Sequence, residues 1–203
     1  MNEAKNQILN VKVVYGDAAP AGWIAYSIAT WMAWASLCSF VTPKAYLLMA
    51  AVSLACTIPY LVAGFSELKA GNIAGGSTWV YFGTFFAFAS SLTYAIEYFA
   101  PIYHLELDYR ILGFEWIILA LVLIFTTPVF LKFAPFTASI SIIGADIGLL
   151  TLALIYWNIG DLSLISGWAF FVAGLFGVLM AIGGILNSAG INFPIGKPLL
   201  KLK

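Results

Sequence analysis

The sequence predicts an all-α integral membrane protein with six transmembrane helices and both termini in the cytoplasm. Composition is the first observation behind this: 63% of the 203 residues are hydrophobic and 9% are charged, with a mean hydropathy of +0.99. A soluble domain carries about a quarter charged residues, so this chain lacks the polar side chains to cover a water-facing surface. The second is length. Six apolar runs, near 21–41, 45–66, 78–99, 113–131, 136–157 and 164–186, each match the roughly 20 helical residues that cross about 30 Å of hydrocarbon. The breaks fall at 42–43, 69–76, 101–110, 132–135 and 158–163. The chain thus divides into a cytoplasmic tail 1–20, a six-helix transmembrane domain 21–186 and a cytoplasmic tail 187–203.

The third observation is the placement of basic residues, which sets orientation. Lys5, Lys12, Lys69, Lys132, Lys197, Lys201 and Lys203 fall on one side of a six-span chain, Lys44 and Arg110 on the other. The first side is the cytoplasm. Other classes are excluded. Zero net charge argues against nucleic acid as a partner. The lone His104 lies in a loop, and Cys38 and Cys56 lie in apolar runs, so neither a metal site nor a disulfide framework is expected, and no cofactor. No serine or cysteine is placed by a base, which argues against an enzyme. The first 20 residues lack an apolar core, so no cleavable signal peptide is expected. Residues 1–15 are either an interfacial helix or a loose segment.

Helix one is introduced by Gly-Asp-Ala-Ala-Pro-Ala-Gly at 16–22. Pro20 suits a first helical turn, and Gly22 leaves backbone exposed beside it. Such a start directs N–H groups at the surroundings of Asp17, a place for a small anion if a cavity lies there. The plainer alternative is a membrane helix that begins with proline. Pro59 and Pro128 fall inside helices two and four and are tolerated there. Small residues at four-residue spacing (Ala25, Ala29, Ala33; Ala87, Ser91, Ala95; Ala169, Ala173, Gly177, Ala181) predict close helix packing.

Helix three carries Phe82, Phe86, Ser90, Thr93 and Glu97 on one face. Either this is a wall of a narrow path for a small polar solute, or its hydroxyls bond their own backbone. Helix five has Thr137, Ser141, Gly144, Gly148 and Thr151 on one stripe, with Ser139 and Asp146 opposite. A mid-span carboxyl is costly, so neither face suits lipid and an oligomer is expected to cover one. Asp146 is either a hydrogen-bonded structural acid or a group linked to proton movement. Trp23, Tyr46, Trp116, Trp157 and Trp168 read as interfacial belt residues.

Three stretches together resemble one family, the acetate uptake transporters (succinate–acetate permeases). Residues 17–26 resemble its signature Asn-Pro-Ala-Pro-Leu-Gly-Leu-x-Gly-Phe, with Ala19, Pro20 and Gly22 matching and Asp17 standing for Asn. Residues 63–72, Ala-Gly-Phe-Ser-Glu-Leu-Lys-Ala-Gly-Asn, resemble Ala-Gly-x-x-Glu-x-x-x-Gly-Asn, followed by Phe-Gly-Thr-Phe at 82–85. Gly167-Trp168 and Pro194-Ile-Gly196 lie near the start of the last helix and the close of the chain. The resemblance implies a transporter or channel for acetate and similar short monocarboxylates, succinate among them, moving with or as the protonated acid. It also implies a homohexamer in a prokaryotic plasma membrane, with lipid and a small carboxylate as partners. Carried over residue by residue, Tyr26 and Phe82 form a constriction, with Ile147 as the aliphatic partner from helix five. On the helix-three face described above, Phe86, Ser90 and Thr93 would continue the path; Asp17, Pro20, Gly22, Glu67 and Asn72 lie at the inner mouth, where Glu67 either helps form the vestibule or is a helix-end carboxylate tied to Lys69 or to loop backbone. Asp146 and Glu97 are candidates for proton linkage, as in a symporter. The alternatives are a channel for another small solute, or a membrane sensor or assembly protein without transport.

Overall fold

The computed structural model describes residues 16–200. The expected behaviour of residues 1–15, and the basic residues Lys5, Lys12, Lys201 and Lys203, lie outside the described residues. The helices are α1 (Ala19–Leu37), α2 (Tyr46–Lys69), α3 (Ile73–Phe99), α4 (Arg110–Phe133), α5 (Phe136–Tyr156) and α6 (Ser163–Ser188). A short 3₁₀ turn, Pro43–Ala45, leads into α2, and no strand occurs among the described residues. Five of the six are long and apolar enough to cross a membrane; α1 is not among them, because its Trp, Tyr, Ser and Thr side chains lower its hydropathy.

Each helix packs on the next in sequence, the α3–α4 contact being slight, and α6 returns to pack along α1. The result is a ring of six helices in chain order. Alternating direction brings 16–19, 69–73, 133–136 and 188–200 to one end, here the terminal end, and 37–46, 99–110 and 156–163 to the other. Lys69, Lys132 and Lys197 fall at the terminal end, Lys44 and Arg110 at the opposite one. There Asp108 bonds Arg110 through both carboxylate oxygens, at 2.8 and 2.6 Å. That bond holds the Asp108 carboxyl down at about 2.

Small residues set the helix spacing. A Cβ added to Gly177 of α6 would come within 2.6 Å of Ser27 Oγ on α1, and one on Gly144 of α5 within 2.9 Å of the Ala169 carbonyl. Only backbone fits these contacts, which is how helices associate where lipid removes the hydrophobic incentive. Gly76 packs the same way against the Gly64 carbonyl, 2.9 Å from an added Cβ. This corrects one expected boundary. Gly75-Gly76 is not a break; α3 starts at Ile73, capped by Asn72, whose Oδ1 accepts from the Gly75 N–H at 3.0 Å.

α5 also differs from expectation. Its Ser141 hydroxyl donates to the Ala173 carbonyl of α6 (2.7 Å), while Ser139 donates to the Phe130 carbonyl of α4 (3.3 Å) and Asp146 meets Thr127 of α4. Both faces are covered within one protomer, so the polar faces of α5 do not by themselves require an oligomer. The 187–203 tail is likewise more than an appendage. Ile195 C=O accepts from Thr137 N–H and Oγ1, Leu200 N–H donates to Leu131 C=O, and Asn187 pairs with the Phe193 backbone. Through residue 200 it straps the α4–α5 turn to the end of α6.

Candidate functional site

Two cavities enter the ring from opposite ends. The terminal-end cavity, about 300 Å³, is lined by side chains from all six helices, among them Asp17, Glu67, Asn72, Phe133 and Met180. Its polar rim is built locally. Asn72 both caps α3 and donates from Nδ2 to Glu67 Oε2 at 2.6 Å, so the helix-two carboxylate is held by Asn72. Asp17 Oδ1 accepts from the Ala19 N–H at 2.8 Å. The Ala21 and Gly22 N–H groups bond the Ala18 carbonyl, and Pro20 has none to offer. The expected anion position at the start of α1 is therefore filled by the chain's own carboxylate. Of the residues placed at this mouth, Pro20 and Gly22 line neither cavity. Pro20 packs on Gly184 of α6, and Gly22 lets α1 approach Ala63 and Trp79.

At its deep end this cavity meets Tyr26, Trp79, Phe82 and Ile142. Tyr26 and Phe82 stand edge to face with centroids 5.7 Å apart; Phe82 also touches Phe86 at 5.4 Å and lies parallel to Tyr60 at 6.3 Å. Phe86 continues the layer to Trp116 and Phe170. Tyr26, Phe82, Phe86 and Phe170 are all 4% exposed or less. The Tyr26 hydroxyl donates to the Ser141 carbonyl at 3.2 Å, fastening α1 to α5 one residue before Ile142.

Beyond the rings lies a second cavity of about 180 Å³, open toward the opposite end and lined by Phe86, Ser90, Thr93, Glu97, Tyr46 and Tyr156 among others. One face of α3 therefore serves both cavities, Phe82 in the first and Phe86 to Glu97 in the second. The middle of that face, Phe82–Ala89, is π-helical, a widened turn that recurs at functional sites. Neighbouring hydroxyls meet two of its carbonyls: Ser53 of α2 donates to Ala87 (2.9 Å) and Ser90 to Phe85 (3.4 Å). Glu97 and Tyr156 both line this second cavity. Among the described residues, no lysine, arginine or histidine lines either cavity. Among the described residues no three His, Cys, Asp or Glu groups gather to hold a metal ion.

Several expected placements move. Ile147 is 45% exposed and points away from the rings, because it lies about 140° around α5 from Ile142 at 100° per residue. Ile142, 4% exposed, is the aliphatic side chain in the cavity. Asp146 lines neither cavity. Trp23, Tyr46 and Trp116 line cavities instead of forming a belt, whereas Trp168 is 49% exposed. Tyr60, Trp79 and Phe170 carry no sequence signal beyond being aromatic; their roles come from which helices meet.

No protein-family model matches the chain, and no curated protein matches it. Among solved structures, the bacterial acetate channel SatP shares the fold at a TM-score of 0.76, with 18% sequence identity over 90% of this chain and 100% of that one.

Proposed function

We propose that this protein is a distant member of the acetate uptake transporter family and conducts acetate and similar short monocarboxylic acids across a prokaryotic plasma membrane. One observation carries the reading: two cavities enter from opposite ends, with Tyr26, Phe82 and Ile142 lining one and Phe86, packed on Phe82, lining the other, on a fold shared with an acetate channel. All six helices, α1 included, span the bilayer, with the terminal end cytoplasmic. α1 runs along α6 and carries the central Tyr26, so it crosses wherever α6 crosses. The solute passes Asp17, Glu67 and Asn72, squeezes between the rings, and leaves past Ser90, Thr93 and Glu97.

The charge of the walls favours the protonated acid over the anion. Asp17, Glu67 and Glu97 border the path, and among the described residues no lysine, arginine or histidine lines either cavity. An anion between low-dielectric walls of its own sign is repelled, whereas a neutral acid is not. Radiolabelled acetate uptake into proteoliposomes tests the reading. Saturable uptake above protein-free vesicles is the expected result. Its absence in a folded, correctly inserted protein leaves a sensor or assembly role.

A further inference from the structure

Asp146 is a half-buried titratable group, with its Oδ1 atom buried, that the proposed path does not use. Its Oδ2 lies 2.7 Å from Thr127 Oγ1 on α4, and the same hydroxyl lies 2.9 Å from the Leu123 carbonyl. A hydroxyl has one proton, so it can satisfy only one of these two acceptors. If Asp146 were ionised, either its Oδ2 or the Leu123 carbonyl would lose this donor, and Asp146 Oδ1 is already buried without a partner. A charged oxygen without a hydrogen-bond partner is costly in the middle of a span. With a proton on Asp146 the chain closes. The acid donates to Thr127, and Thr127 donates to Leu123. The titratable side chains that Asp146 acts on from other elements are Tyr26 of α1 and Tyr81 of α3, both phenols.

The position matters as much as the proton. On α5, Ser139 and Asp146 lie about 60° and 40° from Ile142 around the helix at 100° per residue, one turn below it and one above. Both are bonded to α4, Ser139 to the Phe130 carbonyl and Asp146 to Thr127. These two bonds fix the rotation of α5, and that rotation directs Ile142 at Tyr26 and Phe82. We propose that Asp146 is a protonated acid that positions Ile142 in the constriction, not a carrier of the transported proton. This rests on reading the Tyr26–Phe82–Ile142 layer as the constriction.

Three measurements on the purified full chain test it. In infrared spectra of wild type minus Asp146→Asn near neutral pH, a carboxylic-acid carbonyl band belonging to wild type is expected; a carboxylate band in its place overturns the proposal. In proteoliposomes, Thr127→Val keeps the side-chain shape but removes the hydroxyl. It should raise the lactate-to-acetate uptake ratio severalfold, and a folded Thr127→Val protein with the wild-type ratio overturns the positioning role. Asp146→Asn still donates to Thr127 through Nδ2, so it should keep the wild-type ratio and the wild-type pH profile of gradient-driven acetate accumulation. Loss of that pH dependence makes Asp146 a coupling group and overturns the proposal. If wild-type protein takes up no acetate, the transport reading fails, while the infrared arm still decides the protonation state.

Discussion

At the scale of single residues, the ring pair and Ile142 make a prediction that separates two side chains five positions apart. Phe82→Ala removes a ring that is 2% exposed and touches Tyr26, Tyr60 and Phe86. Ile142→Ala removes the aliphatic wall opposite. Each should widen the layer and admit lactate or succinate, at a stability cost of about 2–5 kcal/mol. Ile147→Ala, at an exposed site, should leave the solute profile unchanged. Competition uptake with each folded variant checks this, and an Ile147 effect with none at Ile142 would reverse the assignment. The reason sequence pointed to Ile147 is physical. A sequence gives the faces of a helix relative to each other, but not the rotation of the helix against its neighbours. Tyr26 and Phe82, by contrast, were legible from short motifs tied to helix ends, where an offset of one residue is easily seen. Asp17 shows a limit of motif reading: the motif marks the helix start, yet the carboxylate that replaces Asn there accepts from the Ala19 N–H of the same chain segment.

At the scale of elements, the runs of apolar residues placed all six helices, and the errors fall where local chemistry competes with hydropathy. Gly75-Gly76 has the composition of a loop but serves as a packing surface against α2. The π-helical turn of α3 had no compositional signal at all. The strap from Ile191 to Leu200 was equally hidden, since its bonds are mostly backbone groups that any sequence possesses. It passes close to α5 at Gly196, with φ +83 and an added Cβ placed 2.6 Å from Phe136 Cβ. A side chain there suffers both left-handed backbone strain and overlap. Gly196→Val should therefore destabilise the protein by about 1–3 kcal/mol, read as a lower thermal midpoint in detergent. Because the strap holds the Phe133–Pro135 wall of the terminal-end cavity, the same variant should also slow acetate uptake. An unchanged midpoint would show that the strap contributes nothing to the inner wall.

At the scale of the whole molecule, the ring encloses both cavities with its own six helices, and this changes what an oligomer can be for. α5 buries its polar faces against α4 and α6, so a partner subunit is not required to shield them. The outer surface is instead rich in exposed apolar side chains such as Leu48, Ile58, Phe125 and Ile118, which suit lipid and subunit contact alike. The hexamer is thus expected from family resemblance, with six independent paths in place of one shared pore. Native mass spectrometry in detergent should show the hexamer; a clean monomer that still transports would remove it. Independence has its own readout. In hexamers assembled from mixed wild-type and Phe82→Ala subunits, lactate flux should rise in direct proportion to the fraction of Ala subunits, since each widened layer passes solute alone. A steep dependence, with flux appearing only when most subunits carry the substitution, would mean that the subunits share a path or gate one another. That outcome would move the functional constriction from the interior of the ring to the interface between copies.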